Sequence, residues 1–303
     1  MMAESAVAAW ENPLIPNARL RQVYLAMVQA RTLARALPAS SNSKGIVGLE
    51  ACLASPAVDL GPGDLVSDAF AGPAMGFLRG ATLATVLKPA EAAKKRGATA
   101  NCGAAALLPR PSGSAERIWL ALGAAAALKA ETARAATEAK VAGSTPKQAG
   151  VVVIYALPNE IPAALWRKAL TFAREQELPV VFVVLPERPS GSKPVLSPKL
   201  ARVSALALSC GLPGIPVDAD DAVAIYRVAQ ESIGHARIGG GTAVMECVPF
   251  VFAKAPGKRS PAADAIAGLQ HYILHRRVAT RAWMDREAKA FARRIATAKA
   301  ASK

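Results

Sequence analysis

Two short apolar runs with a helical pattern between them constrain the fold of this chain most. Val151–Ala156 and Pro179–Leu185 are rich in β-branched residues and continuous rather than alternating, which is typical of strands buried on both faces of a parallel sheet. Ile161–Glu177 repeats apolar residues at helical spacing. This strand–helix–strand unit predicts an α/β fold with a central, mostly parallel sheet, helices on both faces and a helical C-terminus. The residues expected to be fully buried are Val152, Val153, Ile154, Val181, Phe182 and Val183.

The loops that follow the two strands are the expected location of a ligand site. In open α/β sheets, ligands bind beyond the carboxyl ends of the strands. Those ends correspond here to Leu157–Glu160 and Pro186–Pro189. The residues of these two loops therefore decide which chemistry the fold can carry.

Length and composition predict one domain spanning residues 1–303, with 52% hydrophobic residues and ample material for a core. The four cysteines are far apart and lack metal-ligand spacing, which predicts buried thiols in a cytoplasmic protein. The first residues lack the basic and apolar segments of a signal peptide. No apolar run reaches the roughly 20 residues of a membrane span, so we expect no membrane partner.

The positive charge is concentrated in a basic tail, residues 254–303, which is predicted to be helical. From Val251 to Lys303 there are 12 Lys and Arg residues against 3 Asp and Glu, out of a net charge of +15 for the chain. Such a segment could bind nucleic acid or an acidic partner. The simpler interpretation is a solvated helical face, and no helix-turn-helix, zinc finger or RNA-binding aromatic motif accompanies the charge.

The central unit also carries a family resemblance. Ala169-Leu170-Thr171-Phe172-Ala173 is followed by Leu178-Pro179-Val180-Val181-Phe182-Val183-Val184. This order resembles the thiamine-diphosphate segment of the alpha subunit of the 2-oxo acid dehydrogenase first component, the pyruvate dehydrogenase type. Weaker matches extend from Asn17 to Ala290, among them Val217–Asp221, which is similar to the Val-Asp-Gly-Asn-Asp of the family. The resemblance implies the thiamine-diphosphate-binding fold, oxidative decarboxylation of a 2-oxo acid such as pyruvate, and pairing with a beta subunit.

The cofactor motif of that family is altered in this sequence. Leu157, Pro158 and Asn159 stand where the family has Gly-Asp-Gly, and Leu185-Pro186-Glu187 replaces Glu-Asn-Asn. A magnesium diphosphate site needs oxygen ligands and close backbone approach, whereas Pro158 supplies neither a carboxylate nor an N–H. Glu187 alone is one ligand of six. Leu157, Pro158, Asn159 and Glu187 thus match cofactor-binding positions by resemblance only, and we expect neither thiamine diphosphate nor magnesium to bind.

The histidine positions that the family uses in catalysis are also empty. Ser67–Gly76 follows the first predicted strand and contains no His. Pro249–Lys254, after the last strand, lacks the Arg and His expected there. We therefore predict no catalytic residue and no metal ligand set. The three histidines are predicted to be surface residues on helices: His235, His271 and His275.

Three functional hypotheses remain open from the sequence. The first is a degenerate member, a pseudoenzyme that serves as a structural or regulatory subunit. The second is an active enzyme with a rearranged site that uses Glu187, Asp68 or Glu160. The third is a basic interaction protein whose tail binds nucleic acid or an acidic partner. For the first, we expect a homodimer or a heteromer with a beta-like subunit, with contacts through the small-residue segments Ile118–Leu128 and Ala104–Leu108.

Overall fold

A computed structural model describes residues 15–37, 46–70, 72–87, 106–145, 148–186, 202–249 and 264–301. Five strands form one sheet in which every pairing is parallel, in the order β1-β2-β3-β5-β4. The strands are β1 Leu65–Ser67, β2 Val152–Ala156, β3 Val180–Val184, β4 Gly214–Asp218 and β5 Ala243–Val248. The predicted α/β class with a parallel central sheet is confirmed.

Helices account for most of the remaining described residues. The first five are α1 Asn17–Ala36, α2 Glu50–Ala57, α3 Pro73–Leu78, α4 Leu83–Leu87 and α5 Ser114–Ala142. The others are α6 Ala163–Glu175, α7 Arg202–Ser209, α8 Ala222–Arg237, α9 Ala265–His275 and α10 Arg281–Ala300. No helix in these described ranges has the length and apolar character needed to span a membrane.

The two faces of the sheet are covered by different sets of helices. Val152, Ile154 and Ala156 belong to a core with α5, α6 and α7. Val153 and Tyr155 point the other way, into a core with α1, α2, α8 and α9. Because successive side chains of a strand alternate between faces, a strand with helices on both sides must be apolar throughout. That requirement explains why β2 and β3 are continuous apolar runs, and all of their residues are buried, as predicted.

The order of the strands places β5 between β3 and β4. The chain runs from β1 through β2 to β3, passes to β4 at the edge, and returns through α8 to β5. The helix after β3 therefore lies on one face of the sheet and the helix before β5 on the other. At its N-terminal end the sheet is tied to α8 by Arg237, whose guanidinium contacts both carboxylate oxygens of buried Asp64 at 2.5 and 3.0 Å.

Three predicted segments differ in length from the observed elements. Ile118–Leu128 is the first half of one 29-residue helix, α5, which continues through the polar residues to Ala142. The stretch Gly45–Ala51 predicts the start of a helix from the sequence, and that helix begins at Glu50. Helix α6, Ala163–Glu175, begins directly after its N-cap Pro162 and is shorter than the predicted Ile161–Glu177. Of the predicted contact segment Ala104–Leu108, only residues from Ala106 onward are among those described, and Leu107 bridges to Val66 of β1.

Candidate functional site

The carboxyl ends of β1 and β2 hold the polar groups that could form a site. The loop after β2, Leu157–Glu160, is described in full, whereas Glu187 lies outside the described residues. Asn159 is exposed, and Leu157 and Pro158 are half-buried. The first loop predicted from the sequence can therefore be analysed residue by residue, and of the second only Pro186 is described.

The loop after β2 is bonded to side chains of the chain itself. The Glu160 carboxylate accepts the N–H of Leu157 at 3.0 Å. The Pro158 carbonyl accepts the indole N–H of Trp166, which is buried in α6, at 3.0 Å. These two bonds hold the start and the turn of the loop against the sheet. The Leu157 N–H, the Pro158 carbonyl and the Glu160 carboxylate consequently have internal partners.

A buried ion pair fixes the same loop to helix α5. Arg117 donates to Glu160 Oε1 through Nη2 at 2.7 Å and through Nε at 3.2 Å. Its third nitrogen, Nη1, donates to the hydroxyl of Ser67 at the end of β1, at 2.7 Å. The side chains of Arg117 and Glu160 are only 2% and 6% exposed. Such a pair, with its hydrogen bonds satisfied, joins three elements that are distant in the sequence.

Asp68 forms a second polar group at the end of β1. Its carboxylate accepts the backbone N–H groups of Phe70 and Gly72 at 3.0 and 2.9 Å. Burial raises the pKa of Asp68, and these two bonds, together with Arg110 and Arg117, oppose that effect. Arg110 also donates to the backbone carbonyl oxygen of Asp68 at 3.3 Å. Asp68 therefore closes the turn after β1 with a carboxyl group whose pKa is above its ordinary value.

Tyr155 lies close to this turn on the opposite side of the sheet from Arg117. Its phenol donates to the Leu53 carbonyl at 2.9 Å, and burial raises its pKa well above 10, with Asp68 contributing in the same direction. A phenol held in this way stays neutral and positions α2 against β2. The Tyr155 hydroxyl therefore has a structural role as a hydrogen-bond donor.

The other residues considered from the sequence do not converge on this edge of the sheet. His235, His271 and His275 are exposed on α8 and α9, as predicted, with the last two rings stacked at 6.3 Å. Within the ranges that the structure describes, no group of three or more His, Cys, Asp or Glu side chains could hold a metal ion. Of the four cysteines predicted to be buried thiols, Cys52 and Cys247 are buried, Cys210 is only half-buried, and Cys102 lies outside the described residues.

Comparison with known families decides the classification. The model of the family described as "Dehydrogenase E1 component" matches residues 40–252 of this chain, more than half of its length. The chain belongs to the dehydrogenase E1 component family. The match covers the strand–helix–strand unit and both loops from which the resemblance to the 2-oxo acid dehydrogenase alpha subunit was inferred, so that inference is confirmed.

Individual relatives in the E1 component family are similar over shorter segments. The alpha subunit of acetoin:2,6-dichlorophenolindophenol oxidoreductase from Bacillus subtilis (strain 168) is 31% identical over 86 residues, which cover 28% of this chain and 26% of that protein. The alpha subunit of 3-methyl-2-oxobutanoate dehydrogenase from Mycobacterium tuberculosis is 36% identical over 84 residues, 27% of this chain and 23% of that protein. These matches thus span about a quarter of each curated relative.

Sequence reasoning identified Glu160 as a candidate acid but missed its partner. Arg117 lies between Glu116 and the apolar stretch that begins at Ile118, a position that also suits a solvated residue in the first turn of a helix. The only available signal was that Arg117 shares the buried side of α5 with Ile118 and Ala121. Nothing in the sequence connects it with Glu160, which is 43 residues away.

Proposed function

We propose that this chain is a non-catalytic member of the E1 component family that serves as a structural or regulatory subunit and binds no thiamine diphosphate. The observation that carries the proposal is the loop after β2. In a diphosphate site the backbone N–H groups and a carboxylate of this loop have to face the ligand and its metal. Here the Leu157 N–H and both oxygens of the Glu160 carboxylate are bonded within the protein.

The donor set of this loop does not fit a magnesium diphosphate. Pro158 has no N–H, and its carbonyl is held by Trp166. Asn159 contributes an amide in place of a residue without a side chain, and the Arg117 guanidinium bonded to this loop is a cation that disfavours a metal ion beside it. We therefore propose no catalytic step of this chain that requires thiamine diphosphate.

The outer surface of α5 and α6 supports a role in assembly. Trp119 and Phe172 contact each other edge to face at 5.6 Å, although both are more than a third exposed. Leu120, also on α5, is 40% exposed. Large exposed aromatic side chains are enriched at protein interfaces. We expect this surface, Trp119, Leu120 and Phe172, to be buried in a homodimer or against a beta-like subunit, in a cytoplasmic complex.

An active enzyme with a rearranged site is the second candidate, and Asp68 is the observation that favours it. A carboxyl group with a raised pKa at the carboxyl end of a strand is a frequent property of a general acid. However, both oxygens of Asp68 are bonded to backbone N–H groups. The same contacts explain Asp68 as a structural residue that closes a turn.

A basic interaction protein is the third candidate. Arg286, Lys289 and Arg293 are exposed on α10, and a stripe of cations can neutralise nucleic-acid phosphates or an acidic protein surface. No exposed aromatic side chain accompanies this stripe within α10 that could stack on bases. A salt-dependent gel shift with nucleic acid would be the evidence for this candidate.

Calorimetric titration tests the proposed loss of the cofactor. The purified chain is titrated with thiamine diphosphate and Mg²⁺, next to a thiamine-diphosphate enzyme of known affinity as positive control. We expect no magnesium-dependent binding below millimolar concentration. A micromolar isotherm would overturn the proposal and favour the enzyme with a rearranged site.

Sedimentation at micromolar concentration tests the proposed assembly. We expect an oligomer of the chain alone, or a complex when a beta-like subunit from the same cell is added, and dissociation of either by Trp119→Lys. The matched control is Val141→Lys, because Val141 is on the same helix and 86% exposed but lies outside the proposed surface. A monomer under all of these conditions, or equal effects of the two variants, contradicts the assembly argument.

A further inference from the structure

Glu160 has the environment of a bound anion rather than that of an ordinary loop residue. Its carboxylate receives three N–H groups, two from Arg117 at 2.7 and 3.2 Å and one from the Leu157 backbone at 3.0 Å. The side chain is 6% exposed. Charge-assisted bonds from a planar guanidinium and a backbone N–H are the contacts by which proteins bind carboxylates and phosphates.

The donors around this carboxylate are held in place independently of it. Arg117 is anchored by a bond from Nη1 to the Ser67 hydroxyl at 2.7 Å, and Ser67 is itself 2% exposed. The Leu157 N–H belongs to the residue that directly follows β2, and the next residue, Pro158, is fixed by Trp166. The position of the donors is therefore set by the sheet and two helices, and Glu160 enters from the loop.

From this geometry we propose that the carboxyl end of β1 and β2 contains an oxyanion-binding site and that Glu160 occupies it as an internal ligand. The ligand class is a small oxyanion, either a carboxylate or a phosphate. This inference extends the proposed function. It rests on that function in one respect, because it assumes that the oxyanion site of the wild-type protein is closed to external ligands. It explains which group keeps external phosphates out of this edge of the sheet.

The charge balance of the site predicts what happens when the internal ligand is removed. In Glu160→Ala, the buried Arg117 guanidinium has lost its counterion, and a buried unpaired charge destabilises a fold strongly. An oxyanion that enters the vacated position restores both the charge balance and the bond to the Leu157 N–H. Binding to the folded state alone stabilises it in proportion to the occupancy of the site.

The experiment is thermal unfolding of the full chain in inorganic phosphate, sodium formate or sodium chloride at constant ionic strength. For Glu160→Ala we expect a saturable rise in melting temperature with phosphate and formate but not with chloride. A site with a dissociation constant of about 1 mM would raise the folding equilibrium constant roughly 20-fold at 20 mM anion. Phosphate and formate are compared separately, and the tighter of the two shows which oxyanion geometry the vacated site accepts.

Two controls separate this site from general effects of salt. The wild type and Glu131→Ala should show no saturable response, because Glu131 is an exposed acid on α5 and the wild-type site is occupied. The double variant Arg117→Met/Glu160→Leu removes both charges and should respond to no anion. If Glu160→Ala folds only in the presence of phosphate or formate, the proposal is supported in its strongest form.

Three results would overturn the inference. The first is a Glu160→Ala protein that responds to phosphate no more than the wild type. The second is a double variant that responds as strongly as Glu160→Ala, which would show adventitious binding. The third is a Glu160→Ala protein that does not fold at any anion concentration. None of them changes the interpretation of the cofactor titration of the wild type, so failure of the inference and failure of the proposed function remain distinguishable.

Discussion

Substitution of Phe182 tests the sheet on which the site is built. Phe182 is in the centre of β3 and is fully buried. Its neighbours in the sheet are Ile154 of β2 and Val244 of β5, both in register with it. The ring also contacts Trp166 of α6 edge to face, with the centroids 5.7 Å apart. Phe182→Ala therefore removes an aromatic ring from a position enclosed on every side.

The expected cost follows from that environment. Deletion of a buried Phe side chain costs about 3–5 kcal/mol, because the transfer free energy is lost and a cavity remains. Edge-to-face aromatic pairs add about 0.5–1.5 kcal/mol beyond their buried area. Strands on both sides of β3 prevent the backbone from collapsing into the cavity. We therefore expect a loss in the upper half of the range, about 4–5 kcal/mol.

Urea unfolding measures this loss, with coincident transitions by fluorescence and circular dichroism as the condition for a two-state analysis. The control is Leu208→Ala, which deletes a large apolar side chain of α7 at a site that is 61% exposed and lies outside the proposed assembly surface. We expect the control to lose about 1 kcal/mol. A loss below about 1 kcal/mol for Phe182→Ala, or equal losses for the two variants, would refute the assignment of β3 as a doubly covered strand.

Two further predictions concern charged groups in the described structure. Arg237→Met should destabilise the protein by about 3–5 kcal/mol in the same assay, because Asp64 is completely buried and would lose its counterion; a loss under about 1 kcal/mol would contradict the pairing. Asp264→Asn tests pH dependence, since the bond from Arg31 lowers the pKa of Asp264. A lowered folded-state pKa contributes stability that is fully present above the ordinary Asp value of about 3.9 and is lost as the pH falls through the folded value. The wild type should therefore be more stable than Asp264→Asn by up to about 1 kcal/mol at pH 7. The difference in melting temperature between the two proteins should vanish at low pH. A difference that stays constant with pH would contradict this prediction.

The elements that could be predicted from the sequence are those whose signal is local. The continuous apolar runs of β2 and β3 identified strands covered on both faces, and the structure buries every residue of both. Asp221 is an acidic residue of the kind that suits a helix N-terminus, and it opens α8, since its carboxylate accepts the N–H groups of Val223 and Ala224. The full length of α5 was not predicted, because its second half is polar and mostly exposed, without a buried stripe to indicate its extent.

The departures of the candidate site from the family pattern could be seen in the sequence, but the way the site is closed could not. That Pro158 supplies neither an N–H nor a carboxylate follows from its covalent structure alone. That Trp166 binds the carbonyl of the same residue depends on the position of α6 relative to β2. The single-domain assignment and the role of Glu187 stay predictions, since the structure describes neither the whole chain nor that residue.

By itself, the sequence determined which segments are strands and helices and which of their faces are apolar, because these properties depend on residues a few positions apart. The tertiary structure decided which elements are neighbours. Only the sheet order places the end of β1 beside the end of β2, and only that placement brings Arg117 to Ser67 and Glu160, 50 and 43 residues away. In a buried ion pair, both side chains must be held in the correct geometry for their attraction to offset the free-energy cost of desolvation. That geometry arises once the chain has folded.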